Sequence, residues 1–267
     1  MDTPVLVTGG TGTIGSRVVP ILHASGVNVR ILSRHPHPAE PGIEHVEGDM
    51  VTGKGLHPAL KGVGTVLHLA GGAKGDDVAA RNLAQVAKSA GIGHLILISV
   101  VGADKMPIGY FRAKAAAERA IAEAGVPWTV LRAAQLHNFV LPVVKGLARM
   151  PIIPAPGGLR FEPVHVDEVA ARLAELVLGE PAGRVADIAG PEVLSIPELL
   201  AAYWDFFGHS RPKLPIRLPG ASGRAYRAGE NLAGPGARRG ERSWAEFLAE
   251  QSAGMRTGSA SAGNHRA

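Results

Sequence analysis

The sequence has no cysteine, few aromatic residues and no long apolar run, and each absence excludes a class of protein. Without cysteine there is no disulfide, no cysteine-ligated zinc and no thiol nucleophile, which suits a reducing compartment. No segment approaches the roughly 18–20 apolar residues that a membrane-spanning helix needs. The first residues lead directly into a strand pattern rather than a signal peptide. We therefore expect a cytoplasmic protein without a membrane segment and without a membrane as its partner.

The composition is that of an ordinary globular protein. Of the 267 residues, 46% are hydrophobic and 19% are charged, and with only 4% aromatics the core should consist of Val, Leu, Ile and Ala. The net charge is +5, and part of the excess lies in residues 211–242. Tyr226 is the only aromatic residue there and offers little stacking surface for bases, so we expect no nucleic acid. The eleven histidines have no metal-ligand spacing, so we expect no metal. A small-molecule substrate and a monomer or homodimer remain as the expectation.

Short apolar runs alternate with helical patterns through the first half of the chain. The predicted strands lie at residues 4–8, 27–33, 43–49, 64–70, 94–100 and 127–133. This alternation predicts an α/β fold, a Rossmann-type doubly wound parallel sheet with a small C-terminal substrate-binding region. We assign residues 1–135 to a dinucleotide-binding core and residues 136–251 to a smaller substrate-binding region packed on the same domain. Residues 252–267 are predicted to be a disordered tail.

The stretch VLVTGGTGTIG at residues 5–15 joins the first strand to the first helix. Its glycines fit G-x-G-x-x-G from Gly10 and G-x-x-G-x-x-G from Gly9 equally well. Such a loop lets the free N–H groups of the helix start approach a pyrophosphate. A P-loop is excluded because no Lys-Ser/Thr pair follows the last glycine. The loop therefore predicts a dinucleotide.

The end of the second strand distinguishes the two common dinucleotides. An acidic residue there would hold the ribose 2′-hydroxyl of NAD, but the sequence has Ser33, Arg34 and His35. An arginine favours the 2′-phosphate of NADP. We predict NADP(H) as the preferred cofactor, with NAD(H) as the alternative.

Several motifs together resemble the atypical short-chain dehydrogenase/reductases, and more closely their NmrA-like group. They are TGGTGTIG at 8–15, GDM at 48–50, HLAGG at 68–72, ISVVG at 98–102, YFRAK at 110–114 and TVLRA at 129–133. The resemblance selects Gly9, Gly12 and Gly15 as the fingerprint. It implies cofactor contacts from the glycine loop, the ends of the following strands and the catalytic helix: Gly9, Thr11, Gly12, Thr13, Ile14, Gly15, Ser33, Arg34, Asp49, Met50, Leu69, Ala70, Gly71, Lys114, Ala133 and Ala134.

Tyr110 and Lys114 are the candidate catalytic pair. They lie four residues apart on a predicted helix and so share a face. An ammonium beside the phenol would lower the tyrosine pKa and let Tyr110 exchange a proton with a carbonyl oxygen. Ser99 is the candidate for polarising that carbonyl, although Val100 and Val101 stand where relatives often have the catalytic serine. Asn82 resembles the proton-relay asparagine of the family.

Substrate contacts are expected from the segment after the sixth strand, where relatives line their pocket. His137 and Asn138 are the candidates there, and a core or surface position is the alternative for His137. Three functions fit the motifs. The first is an NADPH-dependent reductase of the short-chain type acting on a carbonyl or enone of a small apolar molecule. The second is a redox-sensing regulator that binds NAD(P) without turnover, and the third is a nucleotide-sugar epimerase or dehydratase.

Overall fold

The computed structural model describes residues 3–38, 40–72 and 75–263, with only the backbone described for 255–263. The strands are β1 (Val5–Thr8), β2 (Val29–Ser33), β3 (Ile43–Glu47), β4 (Thr65–His68), β5 (His94–Val100), β6 (Trp128–Ala133), β7 (Ile153–Pro156), β8 (Arg160–Phe161), β9 (Gly183–Arg184), β10 (Ile188–Ala189), β11 (Leu194–Ser195), β12 (Lys213–Ile216) and β13 (Arg238–Arg239). The helices are α1 (Gly15–Ala24), α2 (Leu56–Leu60), α3 (Asp76–Ala90), α4 (Gly109–Ala122), α5 (His137–Ala148), α6 (Val166–Leu178), α7 (Ile196–Phe207), α8 (Gly220–Ala228) and α9 (Trp244–Gly263).

The main sheet has the strand order β13-β10-β6-β5-β4-β1-β2-β3, with β9 also paired to β6. Each of its pairs is parallel. The order changes direction between β1 and β4, and in such sheets ligands bind in the crevice at the carboxyl ends of the strands at this point. The predicted Rossmann-type fold is confirmed, and all six predicted strands are present.

Helices cover both faces of the main sheet, which explains why its central strands are apolar throughout. Every residue of β1 and β5 is buried, as expected for strands packed on two sides. One core lies between the sheet and helices α1 and α6. The other lies between the sheet and helices α2, α3 and α4.

The region after β6 forms a core of its own. Helices α5, α7 and α9 pack around the short strands β7 and β8, with Trp244 and Phe247 among the buried side chains. Helix α7 begins with a capping box, in which the Ser195 hydroxyl and the Glu198 carboxylate satisfy each other's backbone N–H groups. Strands β7 and β12 form a separate parallel pair. Residues 209–240, which had no clear sequence pattern, contain β12, α8 and β13.

The tail differs from its prediction. A disordered stretch was expected from residue 252, but α9 continues to Gly263. Its first turns are anchored by buried Trp244, Phe247 and Leu248, and no proline interrupts residues 244–263. An anchored helix extends because adding a residue is far easier than nucleation. Residues 264–267 of the predicted tail lie outside the described residues. Among those described, no helix combines the length and apolarity that crossing a membrane requires.

Candidate active site

Two cavities meet at the carboxyl ends of the central strands. The first, of about 490 Å³, lies around the glycine loop and the end of β2. The second, of about 620 Å³, lies over the ends of β5 and β6. Gly71 and Gly72 line both. Together they form a cleft at the switch point of the sheet, and we call them the dinucleotide cavity and the apolar cavity.

The glycine loop leaves no room for side chains at its key positions. Gly9 has a φ of +72°, and a Cβ there would stand 2.7 Å from the backbone nitrogen of Ala70. A Cβ at Gly15 would collide with the backbone of Gly9 and Gly10. Gly12 donates its N–H to the Gly9 carbonyl and lines the dinucleotide cavity. The positions of Gly9, Gly12 and Gly15 therefore agree with the fingerprint that the resemblance selects.

The start of α1 keeps its partial positive charge. The helix has no side-chain cap and no acidic residue in its first turn, so no carboxylate of that turn competes with an anion for this charge. Thr11 and Gly12 line the dinucleotide cavity, Ile14 lines the apolar cavity and Thr13 is exposed between them. These features fit a pyrophosphate laid across the loop.

The far end of the dinucleotide cavity is polar and basic. Ser33, Arg34, His35 and His37 line it, and Arg34 is exposed. The Ser33 hydroxyl accepts the His35 N–H at 3.2 Å and lies 3.0 Å from Nε2 of His37. His37 was missed by the sequence analysis because only folding of this loop brings it beside Ser33. The group has the donors that a ribose 2′-phosphate requires.

Asp49 and Met50 form the next part of the cavity wall. The Asp49 carboxylate accepts the N–H groups of Thr52 and Val51, and these two hydrogen bonds lower its pKa. The same loop is held by Asn82, whose amide donates to the carbonyls of Met50 and Val51. Asn82 therefore supports the cofactor loop in this structure, which differs from the proton relay suggested by the resemblance.

The apolar cavity adjoins the dinucleotide cavity at the ends of β4 and β6. Leu69, Ala133 and Ala134 line it, while Ala70 lines the dinucleotide cavity beside Gly71. Gln135 also lines the apolar cavity, and its Oε1 atom is buried without a hydrogen-bond partner among the described residues. A buried acceptor left unpaired is costly unless a ligand supplies a donor.

Tyr110 and Lys114 both line the apolar cavity, on the first two turns of α4. Lys114 is buried, and its Nζ lies 2.9 Å from Oδ2 of Asp76, which is also buried. The other oxygen of Asp76 accepts the N–H of Gly72. Sequence analysis missed Asp76 because α3 and α4 meet only in the folded protein.

The pKa of Tyr110 is raised, whereas the sequence analysis predicted that Lys114 would lower it. Partial burial of the phenol is the larger cause, and the negative charge of Asp76 is the second. Asp76 pairs with the ammonium, so its charge opposes the stabilisation that Lys114 alone would give a phenolate. Tyr110 is therefore a protonated hydrogen-bond donor at neutral pH.

His68 lies at the end of β4, beneath this pair. The Thr8 hydroxyl accepts the N–H of Ala70 and lies 2.7 Å from Nδ1 of His68. Burial, and second the charge of Lys114, lower the pKa of His68 to about 3. The imidazole is thus neutral and adds no charge under the cleft.

Ser99 is held by a buried ionic network rather than aimed freely at a substrate. Its hydroxyl donates to Oε1 of Glu118 at 2.5 Å. Glu118 also forms a two-pronged ion pair with the buried Arg132, which contacts Asp104 at 2.7 Å as well. Ser99 lines the apolar cavity, but its proton is already committed to a carboxylate. A hydroxyl has a single proton to donate, so this arrangement does not favour polarisation of a carbonyl.

His137 lies in the core, away from the predicted substrate contact. It is fully buried, and its ring packs 4.9 Å from that of Phe247 and 5.7 Å from that of Trp244. Burial, and second the proximity of His165, lower its pKa to about 4. Asn138 is half-buried, and neither residue is among the lining of the two cavities. Phe139, the next residue, lines the apolar cavity instead, together with Tyr226 of α8.

The sequence that forms this cleft matches a known protein family. A family described as NAD(P)H-binding matches residues 9–176, which is more than half of the chain. The chain belongs to this NAD(P)H-binding family. The match spans the glycine loop, the Tyr110–Lys114 helix and α6. The NmrA-like group within the wider class remains a prediction from the motifs.

Relatives of this NAD(P)H-binding protein include two reductases. A (4-alkanoyl-5-oxo-2,5-dihydrofuran-3-yl)methyl phosphate reductase from Streptomyces griseus is 30% identical over 74% of this chain and 71% of its own length. Quinone oxidoreductase 2 from Escherichia coli is 26% identical over 74% of this chain and 72% of its own length. The NADPH complex of an E. coli quinone oxidoreductase superposes with a TM-score of 0.80 at 19% identity, covering 92% of this chain and 99% of that chain. The last likeness shows a shared fold.

Proposed function

We propose that the protein is an NADPH-dependent reductase that acts on a carbonyl or enone group of a small apolar molecule. The observation that carries this proposal is the position of Tyr110 and Lys114 in the apolar cavity, which joins the dinucleotide cavity at Gly71 and Gly72. In this proposal residues 1–135 bind the dinucleotide, and residues 136–251 complete the substrate site.

The choice of NADPH rests on the end of β2. Arg34 provides a permanent positive charge at the cavity wall, and the Ser33 hydroxyl lies beside it. A 2′-phosphate would gain a charge-assisted hydrogen bond from Arg34. A ribose 2′-hydroxyl would find no carboxylate on residues 33–38. Lys114 is proposed to hydrogen-bond the nicotinamide ribose.

Tyr110 is proposed to supply the proton of the reduction. A bound reduced nicotinamide supplies the hydride, which adds to the carbonyl carbon of a ketone or the β-carbon of an enone. The developing oxyanion is then protonated by the Tyr110 hydroxyl, whose raised pKa keeps the proton available at neutral pH. Tyr110 is 40% exposed, so solvent can return the proton to the tyrosinate.

The apolar lining supports an apolar substrate. Aliphatic and aromatic side chains dominate the wall of the cavity: Ile14, Leu69, Ile98, Val100, Phe111, Leu136, Phe139 and Tyr226. Such walls favour apolar ligands oriented by a few polar groups. The names of two relatives, a reductase of an oxo-dihydrofuran phosphate and a quinone oxidoreductase, support the same class of chemistry.

A redox-sensing regulator is the second candidate, and Ser99 is the observation that favours it. With the Ser99 proton donated to Glu118, Ser99 does not supply the second hydrogen-bond donor that a reductase of this type would place on the carbonyl. Such a regulator would bind NADPH without oxidising it.

The test is NADPH oxidation with a panel of quinones, enones and ketones. We expect turnover, and we expect Tyr110→Phe to lower kcat by about 100-fold or more while NADPH affinity is retained. Tyr203→Phe on α7 is the matched control, because Tyr203 stacks on Phe207 and lines neither cavity. Unchanged turnover in Tyr110→Phe would refute the tyrosine role. NADPH binding without turnover of any compound would favour the regulator.

A further inference from the structure

The exposed apolar side chains are concentrated on one part of the protein. Eleven large apolar or tyrosine side chains are exposed among the described residues, and seven of them fall within residues 139–152 and 206–216. These seven are Phe139, Val143, Met150, Ile152, Phe206, Leu214 and Ile216. Patches of this kind on a folded protein mark sites of interaction.

The fold joins the two segments into one face. Phe139, Val143 and Met150 recur at helical spacing along α5 and the residues after it. Residue 152 leads directly into β7, which pairs in parallel with β12, the strand that carries Leu214 and Ile216. We call the surface formed by residues 139–152 and 211–217 the basic apolar face.

The charge on this face and on the residues that flank it in the sequence has a single sign. Residues 138–161 and 206–229 contain eight lysines and arginines and no aspartate or glutamate. The eight are Lys145, Arg149, Arg160, Arg211, Lys213, Arg217, Arg224 and Arg227. Within the described part of the chain, none of them forms an ion pair with a carboxylate. Most of these cations are therefore available to an anionic partner outside the chain.

We propose that the basic apolar face docks on an anionic lipid bilayer and places the mouth of the apolar cavity at the membrane surface. Aliphatic side chains surrounded by cations are suited to the boundary between headgroups and acyl chains. Phe139 belongs both to this face and to the lining of the apolar cavity, and Tyr226 lines the cavity on the helix that follows β12. The face is thus continuous with the entrance to the site.

Two other occupants fit the observations less well. A symmetric contact with a second copy would bring two sets of like charges together. A nucleic acid would match the charge, but the exposed side chains between the cations are mainly aliphatic and offer little stacking surface for bases. Contact with a bilayer surface is also compatible with the absence of a spanning helix among the described residues.

The test is co-sedimentation of the full chain with lipid vesicles, without NADPH or substrate. We expect binding to vesicles of equal parts phosphatidylcholine and phosphatidylglycerol, and little binding to phosphatidylcholine alone. The result does not depend on the proposed reductase activity, so a failure of either proposal leaves the other standing. Absence of binding to the anionic vesicles would overturn the docking proposal.

Paired variants separate the apolar and the ionic contribution. Each of two double variants should weaken vesicle binding by about tenfold or more. The apolar variant combines Val143→Asp with Leu214→Asp, and the ionic variant combines Arg149→Glu with Arg217→Glu. The matched controls are Leu178→Asp with Val193→Asp, both 45% exposed elsewhere, and Lys61→Glu with Lys88→Glu, both exposed. The controls should bind like the parent protein, and circular dichroism checks the fold of every variant.

Three results would contradict the proposal. Equal vesicle binding by the Val143–Leu214 variant would show that the apolar side chains are not used. Stronger binding to a DNA duplex or an RNA oligonucleotide than to anionic vesicles would assign the cations to nucleic acid. A dimer in solution that is dissociated by the Val143–Leu214 substitutions would assign the face to a second copy.

Discussion

The dinucleotide cavity and the apolar cavity share Gly71 and Gly72 but are built from different parts of the chain. The dinucleotide cavity is lined by segments within residues 9–79, with backbone at the glycine loop and polar side chains at the ends of β2 and β3. The apolar cavity is made of side chains from well-separated segments, from Ile14 on the first turn to Tyr226 near the end of the chain. The dinucleotide cavity is therefore built within the first part of the chain, whereas the apolar cavity needs segments from the whole fold.

The difference decides which substitutions each cavity tolerates. Mutation cannot exchange backbone groups, so the glycine loop of the dinucleotide cavity is sensitive mainly to added volume. The end of β2 is sensitive to a change of charge. The apolar cavity contains groups whose protonation depends on neighbours, as the raised pKa of Tyr110 beside Asp76 illustrates. The protonation of groups in the apolar cavity should therefore change when a single neighbouring charge is removed, without loss of cofactor binding.

The largest effect is expected from adding one methyl group to the glycine loop beside the dinucleotide cavity. In Gly15→Ala the Cβ would collide with the backbone of Gly9 and Gly10, which cannot move as a flexible side chain can. We expect loss of NADPH binding and a free energy of unfolding lower by about 3 kcal/mol, measured by fluorescence titration and urea unfolding.

Gly146→Ala is the control for that substitution. Gly146 lies in α5 with open space around its Cβ position, so alanine there should leave binding unchanged and raise helix stability slightly. Normal NADPH affinity in Gly15→Ala would show that the loop is not the pyrophosphate site.

A smaller effect is expected at the charged edge of the same cavity. Arg34→Ala should weaken NADPH binding by about 10- to 100-fold, since a hydrogen bond to a charged group is lost, and should leave NADH binding nearly unchanged. The affinities of both cofactors are measured for the parent protein, for Arg34→Ala and for Arg119→Ala, an exposed arginine on α4. Equal losses for both cofactors in Arg34→Ala would argue against recognition of the 2′-phosphate.

The smallest effect at neutral pH is expected from a change of charge beside Lys114, where the two cavities meet. Asp76→Asn retains an oxygen for the N–H of Gly72 but removes the negative charge beside Lys114. The pKa of Tyr110 should therefore fall, because the charge of Asp76 raises it. Tyr110 acts as an acid only when protonated, so the high-pH limit of kcat/KM should move to lower pH.

Asp77→Asn is the control for this shift. Asp77 is the next residue on α3, but it pairs with Arg81 on the helix surface. The pKa of Tyr110 is also measured directly from phenolate absorbance, with Tyr110→Phe as the blank. An unchanged pKa in Asp76→Asn would show that Asp76 does not control the protonation of Tyr110.

Much of the fold followed from pattern alone. The strands β1 to β6 were predicted within a few residues of their observed bounds, because each is an apolar run ended by polar or glycine residues. The loop from Gly9 to Gly15 was recognised from the spacing of its glycines between a strand pattern and a helix pattern. Strand β12 and helix α8 were not predicted, since their segment is rich in proline, glycine and arginine and has little apolar periodicity.

The site was predicted less completely because its details depend on distant partners. Ser99 was proposed as a catalytic donor, yet its hydroxyl is bound by Glu118 of the following helix. His137 was proposed as a substrate contact, yet residues of α9 enclose it. The influence of Asp76 on Tyr110 arises between two helices. None of these relations has a signal in spacing along the chain.

The amino-acid order alone was enough to indicate a doubly wound sheet, a dinucleotide loop at its first turn and a basic residue at the end of β2. These properties depend on backbone conformation and on contacts within a few residues, which local patterns encode. The protonation of Tyr110, the confinement of Ser99 and the joining of two remote segments into the basic apolar face depend on contacts between residues far apart in the chain. Burial and charge at those contacts arise only when the helices and strands pack, so they became visible in the folded protein.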